Sequence, residues 1–269
     1  MVVRRNAGRW GLRAFALGYL AMLLLVPLGM IFYRAFEHGF GAAWDAVTTA
    51  DALHAFYLTV LIAAIAVPVN TIFGVGCALL LVRSNFRGKA LLNAVIDLPF
   101  AISPVVIGLS LILVYGRFGW FGGWLFDQGI QVIFSVPGMV LATMFVSLPF
   151  VAREVVPVLH EIGDEQEQAA RTLGANWWQT FRRITLPAIR WGVAYGVVLS
   201  TARALGEFGA VAVVSGRITG QTQTATIWIS QAFSKFDTTG AYTGSIVLAL
   251  IAVTTLLAMN IFKRKEAPR

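Results

Sequence analysis

Arg203 and Glu207 stand four residues apart in a stretch, Trp191–Val214, that carries no other charge. On a helix that spacing puts both side chains on one face. An arginine alone in hydrocarbon costs at least roughly 2.5–3.5 kcal/mol on insertion scales, and a charge kept inside a membrane helix marks a functional site by default. The pair is therefore expected either to line a pathway or to lock its helix to its neighbours. Gly206 and Gly209 flank Glu207 and permit close helix approach or bending. Asp97 is a further charge near the end of an apolar segment, and a basic loop residue is its expected partner. His38, His54 and His160 are isolated, so no metal site is expected. Cys77 is the single cysteine and forms no intrachain disulfide. No catalytic triad and no G-x-x-x-x-G-K-[ST] phosphate loop is present. The chain is thus expected to be no enzyme and to need no cofactor of its own; energy for any active process must come from a partner or an ion gradient.

The elements that position these residues are membrane spans. Only 13% of the 269 residues are charged, 58% are hydrophobic and the mean hydropathy is +0.74, against roughly 25% charge in soluble domains. Uncharged runs reach the roughly 20 residues that a spanning helix needs. They predict one all-α membrane domain over 1–269 with six transmembrane helices, at about 14–34, 55–82, 91–116, 132–152, 190–214 and 241–262. Pro68 and Asn70 predict a tilt or kink in the second span. Pro99, Ser103 and Pro104 mark the third as a helix with an interrupted backbone ladder, tolerated at membrane depth where neighbours or a water-lined path satisfy the freed groups. The loop RFGWFGGWLFDQG reads as an interfacial element in an aromatic belt. The first segment is too long for a signal peptide and has no A-x-A site, so it reads as a retained helix.

The net charge of +8 is distributed for a membrane and not for nucleic acid. Arg4, Arg5, Arg9 and Arg13, then Arg83, Arg87 and Lys89, then Arg153, Arg171, Arg182, Arg183 and Arg190, then Lys263, Arg264, Lys265 and Arg269 fall on one side of the predicted spans. Arg34, Arg117, Arg217 and Lys235 fall on the other. The positive-inside rule places both termini and the large polar insert, about 160–187, in the cytoplasm of a cell-membrane protein.

That insert contains DEQEQAARTLGANWWQTFRRITLP, Asp164–Pro187. Asp164 is an expected N-cap, with Glu167 acting back on the cap amide. Ala169 and Ala170 leave little bulk on a short helix, and Gly174 is placed to end it at positive φ. Asn176 caps a second helix through Trp177, Trp178, Phe181, Ile184 and Leu186, which Pro187 is expected to end. Some of this apolar ridge is expected to pack on the chain's own helix ends. The small-residue helix with its charged face suits a partner, since exposed apolar patches mark binding surfaces.

The run Glu167–Ala170, Leu173–Ala175 and Ile184–Pro187 resembles the EAA loop of ATP-binding-cassette (ABC) importer permeases, with Gln168 a departure from the usual alanine. DLPFAISPVVIGL (Asp97–Leu109), FGGWL (Phe121–Leu125), FVAREVVPVL (Phe150–Leu159) and ARALGEFGAVAVVSG (Ala202–Gly216) extend the likeness to the sulfate/thiosulfate permeases of that family. The resemblance implies the type I importer, MetI-like, permease fold with a cytoplasmic coupling helix. It implies a second permease subunit in a heterodimer, two copies of a cytoplasmic ATPase that binds the ATP, an extracytoplasmic sulfate-binding protein, and sulfate or thiosulfate as cargo. It makes Glu167, Ala169, Ala170, Leu173, Gly174, Ala175, Leu186 and Pro187 the ATPase-coupling residues. For an oxyanion, helix ends and backbone amides serve better than a deep fixed charge, which would trap it; Pro99, Ser103 and Pro104 then join Arg203, Gly206 and Glu207 as pathway or gate residues. A molybdate or tungstate permease and the paired sulfate permease subunit are neighbouring readings. An ion-coupled secondary carrier would need an inverted repeat and more mid-membrane charges, and a membrane-embedded enzyme clustered acids or histidines; neither pattern is found.

Overall fold

The computed structural model describes the backbone of residues 3–266 and the side chains of residues 15–255, with Arg13 and Leu257. The expected cytoplasmic charges Arg4, Arg5, Arg9, Lys263, Arg264, Lys265 and Arg269 lie outside the described side chains. Among the described residues the structure is helical and has no strand. In chain order the helices are α1 (Val3–Phe36), α2 (Gly39–Val47), α3 (Ala50–Arg83), α4 (Lys89–Ala101), α5 (Pro104–Tyr115), α6 (Gly122–Asp127), α7 (Val136–Glu161), α8 (Glu165–Thr172) and α9 (Trp177–Thr180). A π-helical turn (Phe181–Thr185) follows, then α10 (Leu186–Leu205), α11 (Gly209–Val214), α12 (Ala225–Ser234) and α13 (Thr238–Glu266).

The centre of the bundle is α3 against α7, with α10 packed on both. Small residues let these backbones meet. A Cβ added to Gly74 on α3 would lie 2.8 Å from the Val151 Cβ, and one on Gly196 of α10 would lie 2.7 Å from the Val151 Cα. Val151 of α7 is thus held between two glycines, the close-packing device of membrane helices that gain nothing from burying apolar surface out of lipid. The α3–α7 seam also holds a buried polar contact: Asn70 Nδ2 donates to the Met144 carbonyl at 2.8 Å and to Ser147 Oγ at 2.9 Å. Asn70 and Pro68 lie within an unbroken α3. A second core joins α5, α7 and α11 through Ile107, Met139, Val211 and Val214. At the edge, α1 packs on α13 and α2, and the apolar window of α1 is 0% buried.

Four helices among the described residues are long and apolar enough to cross a membrane: α1, α3, α7 and α13. They become five if α4 and α5 form one span, and the expected six is not reached by that measure. Two of the six expected segments are broken. The segment at 91–116 bends by 114° between α4 and α5. Pro104 begins α5, where its missing N–H costs nothing, whereas Pro99 sits inside α4 without ending it. The segment at 190–214 stops at Leu205 and resumes at Gly209. Two arginines, Arg190 and Arg203, lower the apolar character of α10. The fourth segment is longer than expected, because α7 continues to Glu161 and takes in Arg153 and Glu154. The aromatic loop after α5 is largely exposed, with Phe118, Trp120 and Trp124 on its surface.

Candidate functional site

The insert between α7 and α10 is built as the cap residues direct at its second helix and differently at its first. Asn176 Oδ1 accepts from the Gln179 N–H at 2.8 Å, and Gln179 Oε1 accepts from the Asn176 N–H at 3.0 Å, a complete capping box. Gly174 has φ +86° and open space around it, so it turns the chain between the two helices in the conformation that favours glycine. Asp164 does occupy the N-cap position of α8, but its side chain makes no cap bond; it accepts instead from Gln168 Nε2 at 2.8 Å. Its backbone, at φ −125° and ψ 3°, lies outside the extended region that aims a capping side chain at the first turn.

Glu167 likewise does not bond back to the cap. It points inward, 8% exposed, and its two oxygens accept from Arg83 Nε at 3.1 Å and Nη2 at 3.2 Å. Thr185 Oγ1 adds a third bond at 2.9 Å. A carboxylate with a guanidinium and a hydroxyl within reach is better satisfied than one at an exposed helix start. Thr185 is buried in the π-turn, a widened turn that often occurs at functional positions. Pro187 does not end the second helix. It lies in the first turn of α10, and the chain runs helically from Trp177 to Leu205. The π-turn bonds the Leu186 N–H to the Phe181 carbonyl and so admits the proline ring without a break.

The remaining coupling candidates face outward. Leu173 is 89% exposed, Ala169 and Pro187 are exposed, Leu186 is at the margin of exposure, and Ala170 and Ala175 are half-buried. Trp177 stacks on Phe181 with ring centres 5.7 Å apart, Trp178 lies 5.6 Å from the same ring, and both tryptophans are more than half exposed. The apolar ridge is therefore mostly open surface, with only Thr180 and Thr185 fully buried beside it.

The pathway candidates converge in part. Glu207 is 3% exposed. Its Oε2 lies 2.6 Å from Arg203 Nη1, an ion contact whose angle is not that of a hydrogen bond. Its Oε1 accepts from the Ala210 N–H at 2.8 Å. Arg203 lies in the last turn of α10, and Glu207 sits in the unwound residues between α10 and α11. A Cβ on Gly209 would meet the Pro104 Cβ at 2.9 Å, so the break that holds Glu207 abuts the break that holds Ser103 and Pro104. Gly206 and Ser103 are exposed, and Gly206 borders a cavity of about 520 Å³ with Phe208, Thr226 and Ser245. Pro99 lies apart, buried in α4. Asp97 has a basic partner, but on a helix and not in a loop as expected: Arg153, taken up by the extension of α7, whose Nε donates to Asp97 Oδ1 at 2.7 Å and whose Nη2 donates to Asn93 Oδ1 at 3.0 Å. Three participants had no distinguishing signal in the sequence. Arg83 reads as one more positive charge at a span end, Thr185 only as a member of the Ile184–Pro187 run with no role of its own, and Asn93 as nothing at all. Among the described residues no group of histidines, cysteines and acids is arranged to hold a metal ion.

Residues 70–268 match the family described as the binding-protein-dependent transport system inner membrane component. The chain belongs to that family. It is 53% identical over 252 residues, covering 94% of this chain and 91% of the relative, to the sulfate transport system permease protein CysW of Synechocystis sp.. It is 48% identical to the protein of the same name from Escherichia coli K12, covering 96% and 89%. It is 39% identical to a probable sulfate transport system permease protein cysT of Nephroselmis olivacea, covering 92% and 87%. Its fold matches a chain of a crystal structure of a bacterial ABC transporter that imports alginate, with TM-score 0.84, 17% identity and coverage of 99% and 98%. The protein is accordingly a multi-pass membrane component of an importer, and the insert lies within the family-defining region.

Proposed function

We propose that this chain is the membrane-spanning permease subunit of an ATP-driven sulfate importer, forming half of the anion pathway and receiving the energy of ATP hydrolysis through residues 164–187. The observation that carries the mechanism is the insert: two short helices, the second capped, fused at one end to α10 and tied at the other to α3, with Leu173, Trp177 and Trp178 left open to a partner. The names of the CysW relatives carry the substrate. The occupant of the open surface is a cytoplasmic ATPase, one copy on this chain and one on a second permease resembling the cysT relatives. An extracytoplasmic binding protein delivers sulfate or thiosulfate to the opposite face. Both termini and the insert lie in the cytoplasm, in keeping with the basic residues on that side. The chain itself is non-catalytic and holds no cofactor.

Purification of the complex from native membranes and reconstitution into vesicles tests this. Labelled sulfate uptake should require ATP on the insert side and the binding protein on the other, and thiosulfate should compete. Uptake driven by an ion gradient without ATP would replace this reading with a secondary carrier. Competition by molybdate and not by thiosulfate would move the substrate to the neighbouring permease class.

A further inference from the structure

Besides Glu167, the Arg83 guanidinium binds two backbone carbonyls. Nη1 donates to the Leu159 carbonyl at 3.1 Å, and Nη2 donates to the Gly163 carbonyl. Leu159 is in the last turn of α7, and Gly163, at φ +64°, is the corner between α7 and α8. One side chain at the end of α3 thus holds the end of α7, the connector and, through Glu167, the insert; Thr185 joins the π-turn to the same carboxylate. The main backbone neighbours of α8 are α9 and the π-turn. A cavity of about 320 Å³ separates α3 from the insert, lined by Leu80, Arg83, Glu167, Arg171, Trp177 and Phe181. The ion pair lines that cavity, beside the apolar cluster in which Leu79 and Val82 of α3 and Phe181 take part. Its side chains are 17% and 8% exposed, so water competes weakly for them.

We propose that Arg83 is a positioning residue that makes α8 and the ends of α3 and α7 one rigid body. A displacement imposed on the insert then reaches these two spans and is not absorbed at the Gly163 corner. The inference rests on the insert being the docking element. Arginine suits the task because its planar fork presents five N–H donors, enough for both carboxylate oxygens and both carbonyls at once. Lysine keeps the charge but presents three donors from a single point.

The test uses the whole complex in a C77A background, with nitroxide labels at Ile72→Cys on α3 and Thr172→Cys on α8, both exposed positions. With Arg83 present, the distance between labels should be narrow and the same with and without bound nucleotide. R83Q should broaden it and lower sulfate uptake per ATP hydrolysed by about tenfold, the scale set by losing a hydrogen bond to a buried charge. R83K should fall between. A distance that shifts with nucleotide when Arg83 is present overturns the proposal. So does an R83Q complex with a narrow distance and uptake per ATP within about twofold of the parent. If R83Q fails to assemble, the nucleotide dependence with Arg83 present decides alone. A parent complex that takes up no sulfate refutes the substrate reading, while the distance measurement still decides this one.

Discussion

Gly174 can be changed without a steric collision, since nothing lies within 4 Å of a Cβ built there, yet its φ of +86° is one that side chains resist. A β-branched residue concentrates that resistance: Gly174→Val should cost about 1–3 kcal/mol in local conformation and misplace Leu173 and Asn176. The expected result is loss of ATPase co-purification and uptake with the spans still folded, whereas a G174V complex that forms and transports normally would remove the turn from the docking role. Arg203 and Glu207 admit a sharper distinction. Breaking a buried pair by removing one member costs about 3–5 kcal/mol, less here because the Arg203 side chain is 31% exposed. Arg203→Ala should therefore weaken assembly as well as uptake. In the double variant R203A/E207Q the glutamine can still accept from Ala210, so assembly should recover. If the pair lines the path, uptake stays low; full recovery of uptake would make it a structural lock.

At the scale of elements, the second insert helix was legible in the sequence because its cap is local: Asn176 and Gln179 are three residues apart and bond only to each other. Asn176→Ala should cost about 1 kcal/mol and loosen the Trp177–Phe181 stack, seen as faster proteolysis of the insert in detergent. Gly174 was legible for the same reason. The inward turn of Glu167 was not, because its partners come from 84 residues upstream and 18 downstream, and a capping-box pattern looks identical whether or not a distant arginine claims the carboxylate. Pro187 misled in the opposite direction. A proline ordinarily ends a helix, but a widened turn just before it removes the clash. The bend in the third segment was announced by Pro104, whereas the unwinding at Gly206–Phe208 had only two glycines to suggest it.

For the molecule as a whole, hydropathy anticipated six spans where four or five helices among the described residues are long and apolar enough to cross a membrane, because composition records how apolar a stretch is and not whether it stays straight. The distribution of positive charge gave an orientation that a labelling experiment can check. In a C77A background, a cysteine at exposed Lys235 should react with a membrane-impermeant maleimide in intact cells, and one at Thr172 only after the membrane is opened. The reverse pattern would turn the protein over and put the insert out of reach of any cytoplasmic ATPase.

Val151, gripped between Gly74 and Gly196, has a mechanical corollary. With so little slack at that point, α3, α7 and α10 cannot slide past one another without a backbone collision. The trio can therefore be displaced only as one block. A passage that opens and shuts beside it has to pivot at the two unwound corners, Ile102–Ser103 and Gly206–Phe208, which touch through Pro104 and Gly209. Relative to that block, the parts left free to turn would be two short helical stubs, α5 and α11.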